Sequence, residues 1–103
     1  MKILIENISD NPANALRSCG YHFERQHEAT GEISAARDLG AGGFPRLHCY
    51  AKPATNGKDL EINLHLDQKR PSYGGSHAHG GEYEGEIIQQ EAVRIQSILQ
   101  KAI

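Results

Sequence analysis

Six histidines, His22, His27, His48, His65, His77 and His79, are the side chains of this chain best suited to chemistry near neutral pH. Two of them are brought together by a turn signal. Asn56-Gly57 marks a β-hairpin, because a two-residue type I′ turn needs positive φ at both central positions. In that register, residues whose numbers sum to 113 face each other, so His48 opposes His65 and Arg46 opposes Asp67. Opposed Cβ atoms lie about 4.5–5.5 Å apart, close enough for two imidazoles to reach one small ion or one phosphate. With His77 or His79 folding back on the neighbouring glycines, His48 and His65 make a nitrogen-rich set for a zinc-like divalent metal. Asp67 then serves as a further ligand or as a carboxylate that orients an imidazole.

The same residues permit a metal-free chemistry. His48 and His65 can act as general acid and base on a phosphodiester, with Arg46, Lys69 or Arg70 stabilising charge. They also permit binding alone. Lys69 and Arg70 suit phosphate, and Tyr73 suits stacking on a base, so RNA is a candidate partner. A plainer account competes with all three: exposed sheet faces are commonly polar, and His-Ala-His in a glycine loop lacks the ligand spacing of a zinc finger or an HExxH helix.

The elements that must position these residues follow from periodicity. From Arg46 to Asp67, one hairpin face carries Leu47, Cys49 and Ala51 against Ile62, Leu64 and Leu66, which reads as core. The other carries Tyr50 opposite Asn63 and Lys52 opposite Glu61 beside the histidines. Upstream, Ile3 to Ile8 reads as a short strand. Asp10-Asn11-Pro12 reads as a helix start and Gly20 as its left-handed stop. Tyr21 to His27 reads as a strand. Ile33 to Leu39 reads as the strand completing a second hairpin, with helix as the alternative because of Ala35 and Ala36. A loop is expected from Gln68 to about Tyr83. A helix is expected from Glu84 to Ile103, where Ile88, Ala92, Ile95, Leu99 and Ala102 recur at helical spacing, widened by Ile87 and Ile98. The expected fold is therefore α+β: an antiparallel sheet of three to five strands, with a short N-terminal helix and a long C-terminal helix packed on one face.

Length and composition set the bounds. A chain of 103 residues suits one small domain, residues 1–103. Its apolar fraction of 38% is modest, so a homodimer would help to bury apolar surface. The net charge of −2, with both signs interspersed, gives no global argument for nucleic-acid or membrane binding and leaves room for local basic patches. Cys19 and Cys49 make neither a zinc ribbon nor a disulfide framework, and free thiols are expected. The apolar run at the N-terminus is too short for a signal peptide, and no segment reaches membrane-spanning length. A cytoplasmic protein with no membrane partner is the expectation.

The strings His65-Leu-Asp-Gln-Lys, Pro71-Ser-Tyr and Ala78-His-Gly-Gly-Glu-Tyr-Glu-Gly resemble a signature of short bacterial proteins of unassigned activity. The resemblance touches Pro45-Arg-Leu-His as well. It implies that the hairpin exit and the histidine loop are the characteristic parts. The stretch Ala15-Leu-Arg-Ser-Cys-Gly-Tyr-His-Phe-Glu-Arg-Gln resembles HicA-type toxins, small ribonucleases of double-stranded-RNA-binding-domain fold. That family carries Gly-Ser-His on the next turn. Here His27 follows Gln26 without it, so no catalytic histidine is carried over. The expected function is a small binding or interaction protein with a histidine-rich sheet face directed at a metal, RNA or a protein partner. The alternative is a histidine-dependent ribonuclease or other phosphodiesterase.

Overall fold

Four strands follow one another without an intervening helix, and a fifth from the N-terminus joins them at the far side. The structure, a computed structural model, describes residues 1–8, 10–40, 42, 45–67 and 80–100, with the backbone course alone for 80–84. The elements are β1 (Lys2–Ile5), α1 (Pro12–Ser18), β2 (His22–Gln26), β3 (Ile33–Asp38), β4 (Arg46–Pro53), β5 (Leu60–Asp67) and α2 (Gly80–Leu99). The sheet has five strands in the order β1-β5-β4-β3-β2, and every neighbouring pair is antiparallel. The α+β expectation holds, at the upper end of its strand count.

Local chemistry explains the element ends. Asn11 caps α1 by accepting the Asn14 N–H at 2.8 Å, and Pro12 sets the first helical φ. Gly20 leaves the helix at φ +94°, a conformation that a side chain would strain. The segment Ile33–Asp38 is a strand, not a helix, although it contains two alanines. As an interior strand its Ile33, Ser34, Ala35 and Ala36 are all buried, and the small side chains fit a strand flanked by a neighbour on each edge. Helix α2 begins earlier than the apolar stripe suggests, so Gly80 to Tyr83 belong to the helix and not to the expected loop. Propagation is cheap once a helix is nucleated, so a well-packed stripe downstream carries poor helix formers at its start.

The core lies between the sheet and the two helices. Ile3, Ile5, Leu47, Cys49, Leu60, Ile62 and Leu64 from the sheet meet Ala15 and Leu16 of α1 and Ile88, Ala92 and Ile95 of α2. Burying one such aliphatic side chain contributes about 1.5–3 kcal/mol relative to exposure. Ile87, Ile98 and Leu99 border the cluster, as the stripe predicts, while Ala102 lies outside the described residues.

The hairpin register is the expected one: His48 pairs with His65, Arg46 with Asp67, Tyr50 with Asn63, and Lys52 with Glu61. The turn that produces it is not. Ala54 and Asp59 close a four-residue loop, with Ala54 N–H donating to Asp59 O at 2.8 Å and Gly57 N–H donating to Ala54 O at 3.0 Å. Gly57 has φ +74°, but Asn56 does not share the positive φ that type I′ requires. Asn56 instead acts through its side chain. Its Oδ1 accepts from the Lys58 and Asp59 N–H groups at 2.8 and 3.1 Å, and its Nδ2 donates to Asp59 Oδ2 at 2.7 Å. The symmetric length of both loops leaves the register unchanged.

Candidate functional site

The open face of the sheet carries the polar residues of β2 to β5 in transverse rows. One row runs His65, His48, Ala36, His22, and the next runs Lys2, Asn63, Tyr50, Ser34, Arg25. A β-bulge between Phe23 and Arg25 inserts Glu24 as an extra residue on the edge strand. Its carboxylate lies over the same face.

His48 is the centre of this face. Its Nε2 lies 2.7 Å from Ser34 Oγ and 3.3 Å from Glu24 Oε1, and its Nδ1 lies 3.3 Å from Asp67 Oδ2. Arg46 bridges the two carboxylates, donating from Nε to Asp67 Oδ2 at 3.3 Å and from Nη1 to Glu24 Oε2 at 3.1 Å. Ser34 Oγ also lies within 3.3 Å of Glu24 Oε1. Two hydrogen-bond patterns satisfy these contacts. In one, Nδ1–H donates to Asp67 and Nε2 accepts from the serine. In the other, both ring nitrogens donate, and the Ser34 hydroxyl donates to Glu24.

Serine, imidazole and carboxylate thus stand in the order that acyl transfer uses. The surroundings do not complete that machinery. Ser34 is only 7% exposed. It also sits in an interior strand, where backbone N–H groups belong to the ladders and cannot converge on an oxyanion. What the arrangement does achieve is a rigid imidazole.

Ring contacts extend from it. The His48 and Tyr50 rings are 4.7 Å apart between centroids, and Tyr50 meets His65 edge-on at 5.7 Å. His65 is exposed and Tyr50 half-buried. Beside Tyr50, the side chains of Lys2, Lys52, Glu61 and Asn63 line a hollow of about 90 Å³.

No protein-family model matches this chain, and no curated protein matches it. The face must therefore be read from its own residues.

Of the expected site residues, the structure brings together Arg46, His48, His65 and Asp67. Lys69, Arg70, Tyr73, His77 and His79 lie outside the described residues. Among the described residues, no group of three or more His, Cys, Asp or Glu side chains is placed to hold a metal ion. His48 could bind a zinc-like ion only by giving up one of its present contacts. Sequence reasoning missed Glu24, Ser34 and the role of Tyr50. The bulge that delivers Glu24 has no local signature, whereas Tyr50 carried the i+2 spacing from His48 that places both on one face.

Among the described residues, no helix is long and apolar enough to cross a membrane. Cys19 and Cys49 are buried free thiols. Burial pushes the Cys49 thiol up to about 12, which removes it from thiolate chemistry.

Proposed function

We propose that this chain is a small binding module whose open sheet face takes an unpaired nucleotide of RNA. The observation behind the reading is the continuous set of ring contacts from His48 through Tyr50 to His65 on a face not covered by either helix. Flat rings on an antiparallel sheet are a general platform for base stacking. Asn63 offers both a donor and an acceptor beside Tyr50, and Lys2 and Lys52 offer charge for a phosphate. The carboxylates of Glu24, Glu61 and Asp67 oppose dense phosphate packing, so affinity rests on stacking more than on counterion release.

The test is fluorescence anisotropy of short single-stranded RNA titrated with the full chain at several salt concentrations. Saturable binding with a shallow salt slope is expected. Tyr50→Ala should weaken it on the order of tenfold or more, since one stacked base contributes about 1–3 kcal/mol. Absence of binding, or equal binding by Tyr50→Ala, rejects the reading.

A second reading is a histidine-dependent ribonuclease or other phosphodiesterase. The His48 contacts favour it, because an imidazole with a carboxylate on Nδ1 is oriented as general bases commonly are. The resemblance to HicA-type toxins supports the same reading, on residues that form α1 and β2 here. RNA cleavage lost in both His48→Ala and His65→Ala would select it over simple binding.

A further inference from the structure

Strand β1 ends the sheet, and among the described residues no strand runs along its outer edge. Its backbone phase is set at Met1. The terminal amine donates to Leu64 O at 2.8 Å, and Leu64 N–H donates to Met1 O at 2.7 Å. Met1 and Leu64 are thus a hydrogen-bonded pair, and such pairs alternate along an antiparallel ladder. Met1, Ile3 and Ile5 direct their backbone groups to β5. Lys2 and Leu4 direct theirs to the outer edge, and Glu6 follows directly after the strand.

That outer edge is complementary to itself. Laid antiparallel against a second copy with the twofold axis at Leu4, Lys2 opposes Glu6 of the second copy, Ile3 opposes Ile5, and Leu4 opposes Leu4. That register sets Leu4, whose backbone groups point outward, in a hydrogen-bonded pair with its counterpart, and it brings Lys2 opposite Glu6, the residue that follows β1. Charge pattern and backbone phase agree on one register. Sliding by two residues keeps the phase but sets Lys2 against Leu4.

Three of the exposed large apolar side chains lie near the same edge. Met1 is 45% exposed, Leu4 47% and Val93 61%. Val93 and Ala92 of α2 line a groove of about 310 Å³ with Met1 and Leu4. An edge strand facing water with an exposed leucine is normally guarded against pairing. Here the charges that could guard it become partners in the self-register.

We propose that the chain is a homodimer joined through β1, with one continuous antiparallel sheet across both copies and Val93 of each α2 closing the groove beside the junction. The two open faces then form one surface with a His48 cluster on either side of the axis. This interface shares Lys2 with the open-face reading, but it does not require that the face bind RNA.

Sedimentation velocity and light scattering on the full chain, without an N-terminal tag, test it. A dimer that dissociates on dilution is expected. Lys2→Glu and Glu6→Lys each set like charges opposite one another twice per dimer, and each should weaken association on the order of tenfold or more. The double variant carrying both exchanges should recover the wild-type constant. Leu4→Lys should be monomeric, with an unchanged far-UV circular dichroism spectrum showing that it folds. A wild-type monomer at all concentrations, a dimer indifferent to Lys2→Glu and Leu4→Lys, or a double variant that stays monomeric while folded would overturn the proposal.

Discussion

Tyr21 Oη donates to Glu91 Oε2 over 2.6 Å, joining residues 70 positions apart inside the core. Glu91 is 5% exposed and also accepts from Arg94 Nε and Nη2 at 2.9 and 2.8 Å, while Arg37 Nη1 reaches it at 3.4 Å. Arg94 Nη2 in turn donates to the Cys19 carbonyl at 2.6 Å, tying α2 to the C-terminal end of α1. Removing the carboxylate leaves two guanidinium groups without their shared partner. Glu91→Ala is expected to lower stability by about 2–4 kcal/mol, and Tyr21→Phe by about 1–2 kcal/mol. Urea unfolding followed by circular dichroism measures both.

The same carboxylate predicts acid sensitivity. Burial pushes Glu91 up, but hydrogen bonds from Arg94 and Tyr21 and the charges of Arg94 and Arg37 bring it below its ordinary value of 4.5. A folded value below the unfolded one stabilises above the unfolded value, and the contribution is lost as pH falls through the folded value. Asp59 shifts the same way, chiefly through the Asn56 hydrogen bond, then the Asn7 N–H. Thermal midpoints of the wild type should be flat above about pH 5 and fall steeply below about pH 4. In Glu91→Gln the decline should be visibly shallower; an identical pH profile would show that Glu91 is not the group responsible.

At the β4–β5 turn, Gly57→Ala forces a side chain into positive φ and should cost about 1 kcal/mol. Asn56→Ala removes three turn hydrogen bonds and frees Asp59, which also accepts the Asn7 N–H at 3.0 Å. Its cost should be similar or greater, about 1–2 kcal/mol. Differential scanning calorimetry of the pair would show both effects; a neutral Gly57→Ala would contradict the left-handed turn.

Ser34 and Asp67 hold opposite nitrogens of one imidazole. Ser34→Ala and Asp67→Asn should therefore be non-additive. A double-mutant cycle on stability is expected to give a coupling of about 0.5–1 kcal/mol, and the coupling should vanish in a His48→Ala background.

Both thiols should be silent in the native state. Cys19 and Cys49 are buried, and burial raises both thiol pKa values, partly offset by Arg94 at Cys19 and by Tyr21 at Cys49. A disulfide-exchange reagent at neutral pH should titrate neither in the folded chain and both in denaturant. Rapid native reaction would contradict the core packing.

Much of this molecule is legible in its residues. The period-two apolar face of Arg46 to Asp67, the helical stripe of α2, the Asn11 cap and the Gly20 stop are local patterns, and each produced the element it indicates. Even the pairing of His48 with His65 followed from residue spacing, because the observed loop is symmetric about the same centre as the shorter turn expected from Asn-Gly. Local pattern could not decide between turns of equal symmetry, since Asn56 can contribute either its φ or its side chain. Nor could it reach relationships that cross the sheet. Glu24 joins His48 only because β2 bulges and packs beside β3, and Glu91 meets Tyr21 only when α2 lies over the end of α1. Those contacts depend on strand order and helix docking, which are settled by burial of the whole core and not by any one segment. The residues alone determine which faces are apolar and which carry imidazoles; the tertiary structure decides that His48 sits fixed between two carboxylates and a hydroxyl, because only folding sets four separate strands side by side.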